Sequence, residues 1–79
     1  MIDAKYIIVE QDGFEMPYLF SPLVKHSEFA YKIGNKVISA GFISIGEFGI
    51  NCYGKSDSLN IVSRGEKDVK AIKFMMRKF

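Results

Sequence analysis

Apolar positions along this chain recur with two spacings, and the changes between them fall at glycine, proline and serine. Lys5 to Glu10 (KYIIVE) is β-branched and aromatic and predicts a strand. Gln11-Asp12-Gly13 follows, and Asp-Gly predicts a tight hairpin turn. Phe14 to Phe20 is then a second strand. Pro17 within it has no N–H to give to a ladder, which places this strand at a sheet edge or a bulge. The longest apolar stretch, Lys36 to Tyr53, breaks at Gly46-Glu47-Phe48-Gly49 and reads as two strands folded back on each other, Lys36–Ile45 and Ile50–Tyr53. In the first of these, strict alternation groups Ile38, Ala40, Phe42 and Ser44 on one side and Val37, Ser39, Gly41, Ile43 and Ile45 on the other. Both sides are apolar or small, the pattern of a central strand covered on both faces. Gly41 predicts a close approach or a bulge. Polar residues Gly54 to Ser58 interrupt the pattern, and Leu59 to Val62 resume it briefly.

The other spacing is helical. Ser27 is placed to cap a short helix with Glu28 in its first turn; Phe29, Ala30 and Ile33 form its apolar stripe, and Gly34 ends it. Ser63 and Glu66 match a capping box and predict a last helix over about 64–78. Asp68 near its start and Arg77 and Lys78 near its end suit the helix dipole. At 100° per residue Val69, Ile72, Met75, Met76 and Phe79 fall in one arc, predicted to be buried. The order is ββαββα. Helices packed on one face of an antiparallel sheet of about four strands give a small two-layer α+β sandwich, one domain over 1–79. That arrangement leaves the second sheet face open. Tyr6, Ile8, Ile43, Ile45 and Tyr53 are its candidate residues, and a second copy or a partner would cover so apolar a face.

Composition narrows the chemistry. With 79 residues the chain buries only about 60% of its unfolded surface, so its stability margin is thin. Four Tyr and seven Phe are enough to supply a core. Cys52 is the one cysteine, which excludes an internal disulfide and any CxxC site and predicts a buried, unreactive thiol in a reducing, cytoplasmic setting. His26 is the one histidine and has no HExxH, HxH or Cys/His partner, so it reads as a hydrogen-bonding residue at a helix start. Gly41, Gly46, Gly49 and Gly54 form no phosphate-binding loop. Glu10 and Glu15 face each other across the first hairpin, where solvation suits them better than acid–base work. No apolar run approaches the 18 or so residues of a membrane span, and no signal peptide opens the chain. No catalytic residue, metal site or cofactor is assigned. An enzyme would need a pocket gathering His26 with Glu28, Tyr31 or Asp57.

Charge is polarised. From Ser63 onward six bases face two acids, a net +4, whereas the rest of the chain holds five lysines against seven acids, a net −2. Lys70, Lys73 and Arg77 project opposite the apolar arc, and Phe74 projects between Lys67 and Lys70. Lys67, Lys70, Lys73, Phe74 and Arg77 are therefore the candidate partner-binding residues. The face suits an acidic protein patch with Phe74 as anchor, or nucleic-acid phosphates with Phe74 stacking on a base. A solvated helix face, with Phe74 folded against the sheet edge, is the plain alternative.

Three stretches resemble small proteins of tailed bacteriophages and prophages: PLVKHSEFA (Pro22–Ala30), SAGFISIG (Ser39–Gly46) and YGKSDSLNIVSRGEKD (Tyr53–Asp68). The shared pattern is SAGF, then YG-x-S-x-S-L, then Ser-Arg followed by an aspartate. Asn60-Ile61 stands where a glycine-bearing stretch is expected after Leu59. The resemblance implies a phage or prophage origin, a host bacterial cytoplasm, and action on a host protein or ribonucleoprotein complex, such as a CRISPR effector or another defence system. It implies no catalytic residues, and a self-associating structural or accessory phage protein is the alternative to a host-directed binder.

Overall fold

The computed structural model describes residues 2–34 and 36–77. Strand β1 (Ile2–Gln11) and strand β2 (Phe14–Phe20) form the expected hairpin around Asp12-Gly13. Both turn residues have positive φ, 53° and 80°, the geometry that matches the twist of paired strands and that Asp-Gly adopts readily. Helix α1 (His26–Ile33) follows, then strands β3 (Lys36–Gly46) and β4 (Gly49–Tyr53), joined by the two-residue turn Glu47-Phe48. Strands β5 (Lys55–Ser56) and β6 (Ile61–Val62) form a separate small ribbon before helix α2 (Glu66–Met76). The main sheet is antiparallel in the order β2-β1-β3-β4. Pro17 thus lies on an edge strand and β3 is central, as their sequences require.

The α+β class, the four antiparallel strands and the two helices agree with the sequence; the layering does not. Tyr6 and Ile8 of β1 pack with Ile43, Cys52 and the α2 residues Val69 and Ile72. Their neighbours Ile7 and Val9 point the other way and pack with Ala40 and with Phe29, Ala30 and Ile33 of α1. The helices therefore cover opposite faces of the sheet, and the two-layer arrangement with a bare face is corrected. Tyr6, Ile8 and Ile43 are the core under α2, while Tyr53 lies on the α1 side, stacked on Phe42 with ring centres 6.0 Å apart. The physical reason is that β1 is apolar at every position from Tyr6 to Val9, so both of its faces need a cover.

Register in β3 also differs from simple alternation. Ile8 pairs with Ser39 but Val9 pairs with Val37, so Ile38 is an inserted residue. The bulge turns Ile38 toward the α2 core and Val37 toward the α1 core, the reverse of the alternating assignment. Gly41 is not the bulge; it answers the other expectation, a close approach. A Cβ there would lie 2.5 Å from the Tyr53 carbonyl oxygen and 3.1 Å from the Ser63 Cβ.

Helix ends are corrected in detail. Helix α1 starts at His26, one residue before the Ser27 cap that was expected; the Ser27 N–H instead donates to Ser58 Oγ at 3.1 Å, a hydroxyl from the β5–β6 ribbon. Gly34 does close the helix, at φ 73°, with its N–H donating to the Ala30 carbonyl. Helix α2 starts at Glu66, and Gly65 precedes it at φ 62° and ψ −119°, backbone that glycine alone accepts without strain. Met76 is 59% exposed, outside the buried arc to which its spacing assigns it. Lys78 and Phe79 lie outside the described residues.

Candidate functional site

The start of α2 is held by a buried carboxylate. Asp68 is fully buried and accepts four hydrogen bonds: on Oδ1 from Ser39 Oγ (3.0 Å) and Arg64 Nε (2.7 Å), and on Oδ2 from Tyr6 OH (2.5 Å) and the Arg64 N–H (2.8 Å). Because the Tyr6 hydroxyl gives its proton to Asp68, Ser63 Oγ donates to the Tyr6 oxygen, at 2.6 Å, and itself accepts the Gly65 N–H at 3.0 Å. The Arg64 guanidinium continues outward to both carboxylate oxygens of Glu15, at 2.7 and 3.2 Å. One network thus joins β1, β2, β3 and α2. The capping box read from Ser63 and Glu66 is replaced by Asp68, whose carboxylate reaches back to the free N–H of Arg64. Among the described residues no buried side-chain nitrogen or oxygen lacks a partner, which offsets part of the cost of interring a charge.

Burial and Asp68 push the Tyr6 hydroxyl far above its ordinary range, and burial pushes the Cys52 thiol up to about 11, so neither ionises near neutral pH. Arg64 holds the Glu15 carboxylate below its ordinary range. Glu10 and Glu15 are indeed opposite each other across the hairpin, but Glu15 is claimed by Arg64 rather than left to solvent.

His26 occupies the equivalent position on the other side. It is buried between Phe20 and Phe42, edge-on to both, with ring centres 5.5 and 5.7 Å away. Its Nε2 donates to the Gly41 carbonyl at 2.8 Å. Gly41 lies one residue beyond the last β3–β4 pair, Phe42 with Tyr53, so the imidazole stands in for a strand that has ended. Burial lowers its pKa and keeps it neutral. A cleft does open beside it, and Asp57 lines that cleft, but Glu28 and Tyr31 line a different depression with Ser27 and Lys32. Among the described residues no group of three His, Cys, Asp or Glu is close enough to hold a metal ion, and no helix is long and apolar enough to cross a membrane.

The outer face of α2 carries the candidate binding residues. Lys67, Lys70, Lys73, Phe74 and Arg77 are all exposed, as their helical positions predict, and Val69 and Ile72 opposite them are buried. The structure adds what spacing along one helix did not reveal. Phe74 and Met75, with Ala71, form one wall of an apolar groove of about 400 Å³, and Phe14, Glu15 and Met16 of edge strand β2 form the other. Phe14 is 69% exposed and Phe74 60%. The Arg64–Glu15 ion pair sets this spacing by fixing the start of α2 against β2. Phe14, which follows the Asp-Gly turn, was missed because its strand position says nothing about a helix 60 residues later.

The stretches Pro22–Ala30, Ser39–Gly46 and Tyr53–Asp68 mix structural residues with exposed ones such as Lys25, Lys55, Asp57 and Lys67. Ser39 and Gly41 receive α2 and α1; Gly54 packs on Phe42; Ser56 Oγ accepts the Leu59 N–H; Ser63, Arg64 and Asp68 are the network itself. Asn60 has φ 55°, backbone that asparagine tolerates better than most non-glycine residues. No protein-family model matches the chain, and no curated protein and no solved structure is detectably similar to it.

Proposed function

We propose that this chain is a small non-enzymatic binding protein of phage or prophage origin that engages a host protein complex through the outer face of α2. The observation that carries the reading is the apolar groove between Phe14 and Phe74, set beside four exposed cations, Lys67, Lys70, Lys73 and Arg77. Exposed aromatic side chains at the centre of a polar rim are the usual source of binding energy in protein interfaces. The cations favour an acidic partner surface and speed its approach. A host defence complex, such as a CRISPR effector, is the partner class that the resemblance supplies. Buried motif residues occupied in holding the fold leave surface complementarity, rather than bond chemistry, as the means of action.

The same four cations support a second reading, contact with nucleic-acid phosphates, in which affinity would fall steeply with salt. Capture from host-cell lysate, with and without nuclease, separates the two. Wild-type protein is expected to retain a nuclease-resistant protein partner that Lys70→Glu with Arg77→Glu loses. Recovery abolished by nuclease would transfer the function to nucleic acid. Partner retention by the double variant would exclude this face.

A further inference from the structure

On the α1 side of the sheet, away from the groove, the cross-strand pair Lys5 and Phe42 lies in the wall of a second cleft, about 460 Å³ in volume. Lys25 and Lys55 also line it, as do Asp57 and Ser58. Three lysines and one aspartate thus line it. Lys5 is half-buried, and its Nζ donates to the Val24 carbonyl at 2.9 Å, which fixes the ammonium in place and leaves two of its three protons for other acceptors. Asp57 stands 3.6 Å from Lys55, but its side chain is 92% exposed, so this contact is weak and replaceable. His26 at the back is neutral and already bonded to Gly41, and adds an uncharged wall. Phe42 adds a half-buried aromatic one.

We infer that this cleft binds a phosphate monoester, with the phosphate among Lys5, Lys25 and Lys55 and the organic part against Phe42. The excess of two positive charges matches the roughly −1.5 to −2 that such a phosphate carries near neutral pH. The aromatic wall is what distinguishes an ester from free phosphate, because it gives the organic part an apolar contact. Asp57 repels the same ligand while partly neutralising Lys55, so the two side chains should act in opposite directions.

Titration of the full ¹⁵N-labelled chain, followed by amide resonances at low ionic strength, tests this. Adenosine 5′-monophosphate should move Lys5, His26, Lys55 and Ser58 along one saturable curve, more tightly than inorganic phosphate, while adenosine moves none of them. Lys55→Gln should weaken the nucleotide by up to about fivefold, as loss of one exposed charge pair would. Asp57→Asn should tighten it, and both variants should keep the wild-type melting temperature because both side chains are exposed. No saturable shift by about 10 mM nucleotide, tenfold above a dissociation constant of about 1 mM, would overturn the proposal. So would binding that ignores both substitutions, or nucleotide held no better than phosphate.

Discussion

The two helices are attached to opposite faces of one strand by opposite chemistry. Helix α2 is tied to β3 by a buried charge, Asp68, which accepts from Ser39 and from three donors besides. Helix α1 is tied two residues further along by a buried neutral ring, His26, which donates to Gly41 between two phenylalanines. A charge in the interior demands full coordination, and Asp68 has it; removal of the acceptor strands several donors at once. A neutral imidazole demands one bond and otherwise behaves as an aromatic, so its loss is milder. The comparison teaches that α2 is tied to the sheet by more bonds than α1, and the Arg64–Glu15 pair extends that tie to the strand that carries Phe14.

Asp68→Ala should produce the largest effect. It leaves the Tyr6 and Ser39 hydroxyls and Arg64 without their acceptor, at a cost of about 3–5 kcal/mol. That is a large part of the total for a domain this size, so thermal denaturation should show a protein largely unfolded at 37 °C or close to it. A melting temperature within a few degrees of wild type would mean that the network does not hold α2.

Ile72→Ala should cost about 2–5 kcal/mol by opening a cavity under α2, whereas Met76→Ala should stay within about 0.5 kcal/mol because Met76 is largely exposed. Equal losses in the two variants would show that the helix rolls further onto the sheet than this register allows.

His26→Ala should cost about 1–3 kcal/mol, through the unpaired Gly41 carbonyl and the lost ring contacts. Hydrogen exchange should then speed up in α1 and leave α2 protected. Uniform exchange through both helices would contradict the separate attachment of the two sides.

The smallest effect is in the pH profile. His26 has a lowered pKa, so its share of stability is present above its ordinary 6.5 and is lost as pH falls below that value. Glu15, also lowered, adds a loss below its ordinary 4.5. Tyr6 and Cys52 are raised, so their shares are present at neutral pH and are lost as pH rises past their ordinary 10.0 and 9.0. Melting temperature against pH should form a plateau between about 6.5 and 9. In His26→Ala the upper edge should stay and the first acid step should vanish.

Much of the fold was legible because its signals are local. Asp12-Gly13, Pro17, Gly34 and the paired glycines around Phe48 each act within a few residues, and each falls where the chain turns, ends or lies at an edge. What was not legible depends on distant partners. The bulge at Ile38 is a relation between β1 and β3, and it reverses which side Val37 and Ile38 face. Ser58 satisfies an N–H at Ser27, and Asp68 takes over a cap because Tyr6 and Ser39 arrive beside it from the sheet. The same holds for the candidate site: the cationic row and Phe74 could be read from α2 alone, but Phe14 and the groove required the Arg64–Glu15 contact across 49 positions.

The central claim is that the network of Ser63, Arg64 and Asp68 builds the fold while Phe74 and the exposed cations Lys67, Lys70, Lys73 and Arg77 bind. The most direct test is the affinity of the captured partner for Phe74→Ala, measured beside its melting temperature. The account predicts a loss of about 2 kcal/mol or more in binding, near thirtyfold, with melting unchanged to within a few degrees. Wild-type affinity at full stability would contradict it.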